Sequence, residues 1–153
     1  MDISQITDNL FVGAHPAAED AEEIRELGVR LIISMVGLHR PPEELGQTPF
    51  QLLWFQTFDT IFTPIALKKL TIGVEAALPV IQDAGAVFTF CMYGRHRSVA
   101  MAAAILIGMG YSAEQAMQLL ESRREVADPR VWHIKRQITR FEKRWRKTHH
   151  QSS

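Results

Sequence analysis

Three stretches of this chain are apolar at nearly every position: "VRLIISMV" (29–36), "GAVFTFC" (85–91) and "VAMAAAILIGMG" (99–110). The first two are short and rich in β-branched or aromatic residues, which predicts buried strands. The third is longer, uncharged and rich in Ala and Met. It predicts a core helix over 98–109. "NLFVGA" (9–14) and "FQLLWFQTF" (50–58) predict two more strands. Elsewhere the spacing of apolar positions lengthens to a helical period. "PAAEDAEEIRELG" (16–28) predicts a helix with Pro16 near its start, acids in its first half and Gly28 as its stop. "IALKKLTIGVEAALPVIQD" (65–83) predicts another, bent near Pro79. Ser112 and Gln115 form a capping-box pattern that opens a further helix, and a basic helix spans about 131–146. Between these elements, Pro41-Pro42 and Gly46 mark a loop over 37–49. "DTIFTP" (59–64) ends a strand, and "ADPR" (127–130) is a turn.

Strands alternating with helices predict a single α/β domain, with a central, mostly parallel sheet flanked by helices. The domain is expected to span 1–147, with 148–153 as a disordered tail. In such sheets ligands bind at the carboxyl ends of the strands. Two chemically capable residues fall there. Cys91 ends the strand 85–91. Asp59 follows the strand 50–58, which is expected to end beside the cysteine's strand.

Length and charge narrow the function. A chain of 153 residues is long enough for one buried core. Lys plus Arg and Asp plus Glu both number 17, so no net field favours nucleic acid or a membrane. A single cysteine excludes an internal disulfide framework and a thiolate-rich zinc site, and it fits a reducing compartment. The opening "MDISQITDNL" has no basic and apolar halves of a secretion signal. The longest apolar run is shorter than the roughly 20 residues a bilayer needs. A cytoplasmic monomer is expected, with no metal, cofactor, nucleic acid or membrane. His15, His39 and His133 are too scattered for a metal cluster and are read as surface or packing residues.

By itself, a cysteine at a strand end is a small buried hydrophobe. The stretch "CMYGRHRS" (91–98) changes that reading. A strand, a short loop and a helix starting near Arg97 aim successive backbone N–H groups at one point, which makes an anion cradle. The same field favours thiolate over thiol. Gly94 permits a tight turn. Arg97 offers a planar fork to two oxygens of one phosphate, and Ser98 can donate a hydrogen bond to the sulfur. The expected substrate-binding set is Met92, Tyr93, Gly94, Arg95, His96 and Arg97.

Cysteine, five residues, arginine and serine in this order resembles the phosphate-binding signature of the cysteine-based protein phosphatases. "ITDNLFVGAHP" (6–16) looks like the opening strand of the compact dual-specificity phosphatase family. The 32 residues from Asp59 to Cys91 are similar to that family's spacing of general acid and nucleophile. The resemblance implies a dual-specificity-phosphatase-like fold and a metal-free phosphoryl transfer in two steps. Cys91 attacks phosphorus, Asp59 protonates the leaving oxygen and later acts as base, and Arg97 with the loop amides holds the equatorial oxygens. The implied substrate is a phosphorylated protein or another phosphomonoester. Phosphoinositides, phosphorylated glucans and nucleotide phosphates fit the same loop. Phosphotyrosine leads, and a pocket left shallow by so short a chain would also admit phosphoserine and phosphothreonine. The alternatives are a rhodanese-type sulfurtransferase and a catalytically dead phosphate-binding module. The chain departs from the family at Phe90, where the family has a histidine that helps lower the thiol pKa. Arg95 and His96 are read as solvent-facing side chains at the rim. Asp83, Glu43, Glu44 and Asp128 are rival acids to Asp59. Arg123 and Arg124 either line the cleft or pair with Glu121 and Glu125.

Overall fold

The computed structural model describes residues 1–149. Five strands form one sheet: β1 (Ile3–Thr7), β2 (Leu10–Ala14), β3 (Val29–Ser34), β4 (Gln51–Trp54) and β5 (Ala86–Cys91). Their spatial order is β1-β2-β5-β3-β4. β5 pairs in parallel with β2 and β3, and β3 with β4, while β1 closes one edge antiparallel to β2. The apolar pattern does not predict β1. Its "ISQIT" buries only Ile6, so it leaves too weak an alternation to read.

Among the described residues five α-helices cover the sheet: α1 (Ala21–Glu26), α2 (Leu67–Gln82), α3 (Arg97–Gly108), α4 (Ala113–Arg123) and α5 (Trp132–Thr148). The helix expected over 16–28 is reduced to a 3-10 turn at Ala18–Asp20 followed by six-residue α1. Ile24 is the one buried side chain of α1, so little packing energy extends it. α2 continues through Pro79 to Gln82. The Ser112–Gln115 capping box is formed, with both reciprocal hydrogen bonds present. α5 runs to Thr148, the first residue of the expected tail 148–153. His149 stacks on Trp145, and residues 150–153 lie outside the described residues. Among the described residues no helix is long and apolar enough to cross a membrane.

The sheet separates two apolar layers because side chains alternate along each strand. Val87 and Cys91 of β5, with Leu31 and Ile33 of β3, face α2, α3, α4 and α5. Phe88 and Phe90 face the opposite way, joining Phe11, Ile24, Ile32, Leu45 and Phe50. α3 is the centre of the larger layer. Its ten residues Ser98–Ile107 are all buried, as an uncharged Ala/Met sequence requires.

This arrangement places four parallel strand ends on one edge. Ala14 lies opposite Cys91, and Ser34 lies opposite both Phe90 and Trp54. β4 is not beside β5, because β3 lies between them. The strand expected over 50–58 also stops at Trp54. Asp59 therefore does not reach the site as the end of a neighbouring strand. A connection over 55–66 carries it there.

Candidate active site

The loop from Cys91 to Ser98 joins β5 to α3. Its shape depends on Gly94, whose φ is +65°. A β-carbon there would lie 2.5 Å from Arg124 Nη2 and 2.6 Å from the Gly13 carbonyl oxygen. Any other residue would meet both an unfavourable left-handed backbone and a wall of main chain. Arg124 holds the outside of the loop. Its Nε donates to the Gly94 carbonyl at 2.7 Å and its Nη2 to the Tyr93 carbonyl at 3.0 Å. The same guanidinium donates to both carboxylate oxygens of Asp2 at 2.9 and 3.0 Å and to Ser4 Oγ at 3.1 Å. With those carbonyls drawn to Arg124, the loop amides of Arg95 and Ser98 bond the Cys91 sulfur.

Cys91 is buried and free. Ser98 Oγ lies 3.2 Å from its sulfur. Burial pushes the thiol pKa up. The Ser98 hydroxyl and amide, the positive charge of Arg97 and the Arg95 amide more than offset this and hold it below the ordinary thiol value. Phe90, directly before Cys91, turns into the opposite core layer, where its ring meets His15 edge-on at 5.3 Å.

Arg97 opens α3 and is anchored from behind. Its Nη1 donates to the carbonyls of Met35 at 3.0 Å and Thr57 at 2.8 Å. Its Nε is buried and has no hydrogen-bond partner among the described residues. A buried guanidinium N–H without an acceptor is costly. This one belongs to a side chain that lines, with Asp59 and Met92, a cleft of about 220 Å³. A larger hollow of about 650 Å³ lies at the other end of α3, around Met109 and Tyr111. It carries no cysteine, histidine or carboxylate.

Asp59 meets the loop through His96, whose Nδ1 lies 2.6 Å from Asp59 Oδ2. The other oxygen, Oδ1, lies 3.3 Å from His133 Nε2 on α5. Burial raises the Asp59 pKa, but the bonds to His96 and His133 and the charges of His96 and Arg97 leave it lowered. Two expectations are corrected here. His96 is not a solvent-facing rim residue, since it is turned onto Asp59, with its Nε2 3.6 Å from Asp128 Oδ2. His133 is not a bystander on the surface. Arg95 does stand at the exposed rim, 3.9 Å from Asp128.

Of the rival acids, Asp128 is thus near the loop, but behind His96. Asp83 pairs with Arg30 at the opposite edge of the sheet. Glu43 and Glu44 begin the 3-10 turn Glu43–Gly46, and Glu43 lines a separate hollow with Arg40 and Trp54. Arg124 pairs with Asp2 rather than with Glu121 or Glu125, and Glu121 is held by Arg130. Sequence reasoning named neither Arg124 as the brace of the loop nor His133 as a partner of Asp59. Both lie on helices distant in sequence, and no spacing rule links them to Cys91. Among the described residues no group of three or more His, Cys, Asp or Glu side chains is arranged to hold a metal ion.

No protein-family model matches the chain. Individual proteins do. Human dual specificity phosphatase 28 is 29% identical over 127 residues, which cover 82% of this chain and 69% of that protein. Its mouse counterpart is 27% identical over 130 residues, covering 84% of this chain and 77% of that one. The chain is similar to compact dual-specificity phosphatases over more than four fifths of its length. The Arabidopsis thaliana protein-tyrosine-phosphatase MKP1 is 26% identical over 129 residues, and there the match spans only 16% of the relative's length. The crystal structure of human DUSP28 superposes with a TM-score of 0.84, covering 95% of this chain and 96% of that one at 24% identity. At that identity the superposition speaks for the fold. The single α/β domain and mostly parallel sheet described above are the fold the two share.

Proposed function

We propose that this protein is a phosphatase that hydrolyses phosphotyrosine and, through a shallow site, phosphoserine and phosphothreonine in proteins. One observation carries the reading. Arg97, whose Nε is buried and unpartnered among the described residues, lines the cleft and lowers the pKa of the Cys91 thiol by its charge. An oxyanion on the loop would satisfy that N–H and the loop amides together. The names of the relatives support the same chemistry.

In the proposed first step the Cys91 thiolate attacks phosphorus and the bond from phosphorus to the ester oxygen breaks. Asp59 gives its proton to the departing oxygen. In the second step Asp59, now a carboxylate, takes a proton from water as the water oxygen attacks phosphorus. The sulfur–phosphorus bond breaks, and the Ser98 hydroxyl, 3.2 Å from the sulfur, supports the returning thiolate. Asp59 is held toward its ionised form when the site is empty. A phosphate dianion bound on the loop adds negative charge beside it and raises its proton affinity, which favours its role as acid. An acid joined to the loop by a 2.6 Å contact favours a phosphatase over a sulfurtransferase, which needs no such group. A thiol held below its ordinary pKa favours turnover over mere phosphate binding. The free thiol also supports a reducing setting, in which we place the protein as a cytoplasmic monomer.

The test is hydrolysis of p-nitrophenyl phosphate by the wild type and by Cys91→Ser. Turnover is expected to vanish in the variant, and activity that survives would sink the proposal. Asp59→Asn should lower kcat strongly for phenyl phosphate, whose leaving group needs a proton. An unchanged rate would reassign the acid.

A further inference from the structure

We propose that His96 and His133 are positioning residues that clamp the Asp59 carboxylate above the phosphate loop before any substrate arrives. The inference rests on the phosphatase reading, in which Asp59 is the proton donor. The connection over 55–66 has no regular structure to hold its own shape. Its two ends are tied down. Thr57 Oγ1 donates to the Met35 carbonyl at 2.6 Å, Arg97 donates to the Thr57 carbonyl, and Gln137 of α5 donates to the Ile65 carbonyl at 2.7 Å. Between these ties the segment runs exposed through Phe58, Ile61 and Phe62. Asp59 is where that exposed stretch is gripped, with one imidazole on each carboxylate oxygen.

The two imidazoles come from different elements. His96 belongs to the phosphate loop itself, and His133 to the first turn of α5. Their rings stand 6.0 Å apart at 71°, on either side of the carboxylate they share. The charged groups facing this cluster are Arg97 beside Asp59, and Asp128 behind His96 with Arg95 beyond it. The Trp132 ring packs on His133 at 5.8 Å. Among the described residues the second nitrogen of each imidazole is buried without a hydrogen-bond partner, and His96 Nε2 stands 3.6 Å from Asp128 Oδ2. The loop that binds the phosphate therefore also aims the acid at its leaving group. A closing motion of the kind many enzymes use is replaced by a contact already made.

The test compares kcat for phenyl phosphate, which needs the acid, with kcat for a fluorinated aryl phosphate, which does not. His96→Ala and His133→Ala should each lose roughly ten-fold or more, up to about a hundred-fold, on phenyl phosphate relative to the activated ester, the upper figure being the loss a misplacement of about 1 Å can cause. His96→Asn and His133→Gln, which return an amide nitrogen near the Nδ1 and Nε2 positions, should recover most of that ratio. The alkaline limb of the kcat profile should move to higher pH in the alanine variants, because Asp59 loses a donor that lowers its pKa. A wild-type ratio and an unmoved limb in both alanine variants would overturn the clamp while the phosphatase reading stood. A wild type that hydrolyses neither ester would remove that reading, and the clamp with it.

Discussion

Replacing Arg124 with methionine isolates the brace behind the Cys91–Ser98 loop, since methionine keeps much of the apolar stem. The Arg124 side chain is only 2% exposed, whereas Asp2, its charged partner, is 60% exposed. The loss should therefore fall on the main chain. The Gly94 and Tyr93 carbonyls would each lose a bond from a charged donor, a contribution of about 1.5–3 kcal/mol apiece. Removing a buried guanidinium recovers part of its desolvation penalty, so a net destabilisation of about 3 kcal/mol is expected. Asp2 would simply be rehydrated, and as an exposed partner its own pairing is worth about 0–1 kcal/mol. Arg124→Met should thus shift the urea midpoint well below the wild type, while Asp2→Asn shifts it little. Turnover should also fall in Arg124→Met, because the loop is no longer held in place. There is an acid signature as well. Hydrogen bonding to Arg124 lowers the Asp2 pKa. A carboxyl lowered on folding stabilises the protein above its unfolded value of about 3.9 and loses that contribution as pH falls through the folded value. Arg124→Met should lose this part of the acid limb. An Arg124→Met protein with wild-type midpoint and turnover, or an Asp2→Asn protein as weakened as Arg124→Met, would refute the reasoning.

Ser98→Ala removes a donor 3.2 Å from the Cys91 sulfur, so the thiol pKa should rise and iodoacetamide alkylation at neutral pH should slow. Alkylation at the wild-type rate would show that the amides and Arg97 suffice alone. Ala84 follows α2 with φ at +61°, a left-handed backbone that costs a non-glycine residue about 1–2 kcal/mol. Ala84→Gly relieves this at some cost in chain entropy and should stabilise the fold by about 0.5–1 kcal/mol, measured as a raised Tm. Gly94→Ala should do the reverse at the site, lowering both Tm and turnover, because its β-carbon would press on the Gly13 main chain.

The local features of the site could be read along the chain. The apolar run ending in Cys91, the glycine three residues on, the arginine and serine that follow and the uncharged helix behind them are contiguous. Strand, turn and helix preferences therefore act on them directly. The capping box at Ser112 and the stop at Gly28 were legible for the same reason. Pattern failed where burial was thin. β1 has one buried side chain, and α1 has one, so neither imposes a period. It failed again where contacts join distant segments. Nothing near Asp59 indicates that β3 separates its strand from the cysteine's, or that His96 and His133 would take its two oxygens. Nothing near Arg124 indicates that its guanidinium would brace Gly94, thirty residues away. The α/β class, and Cys91 with its loop as the candidate site, followed from local spacing and the period of the apolar positions. The clasp on Asp59, the brace on the loop and the orientation of Phe90 were decided only in three dimensions. They depend on which surfaces the sheet order brings together, and a hydrogen bond or a buried charge is governed by distance in space rather than along the chain.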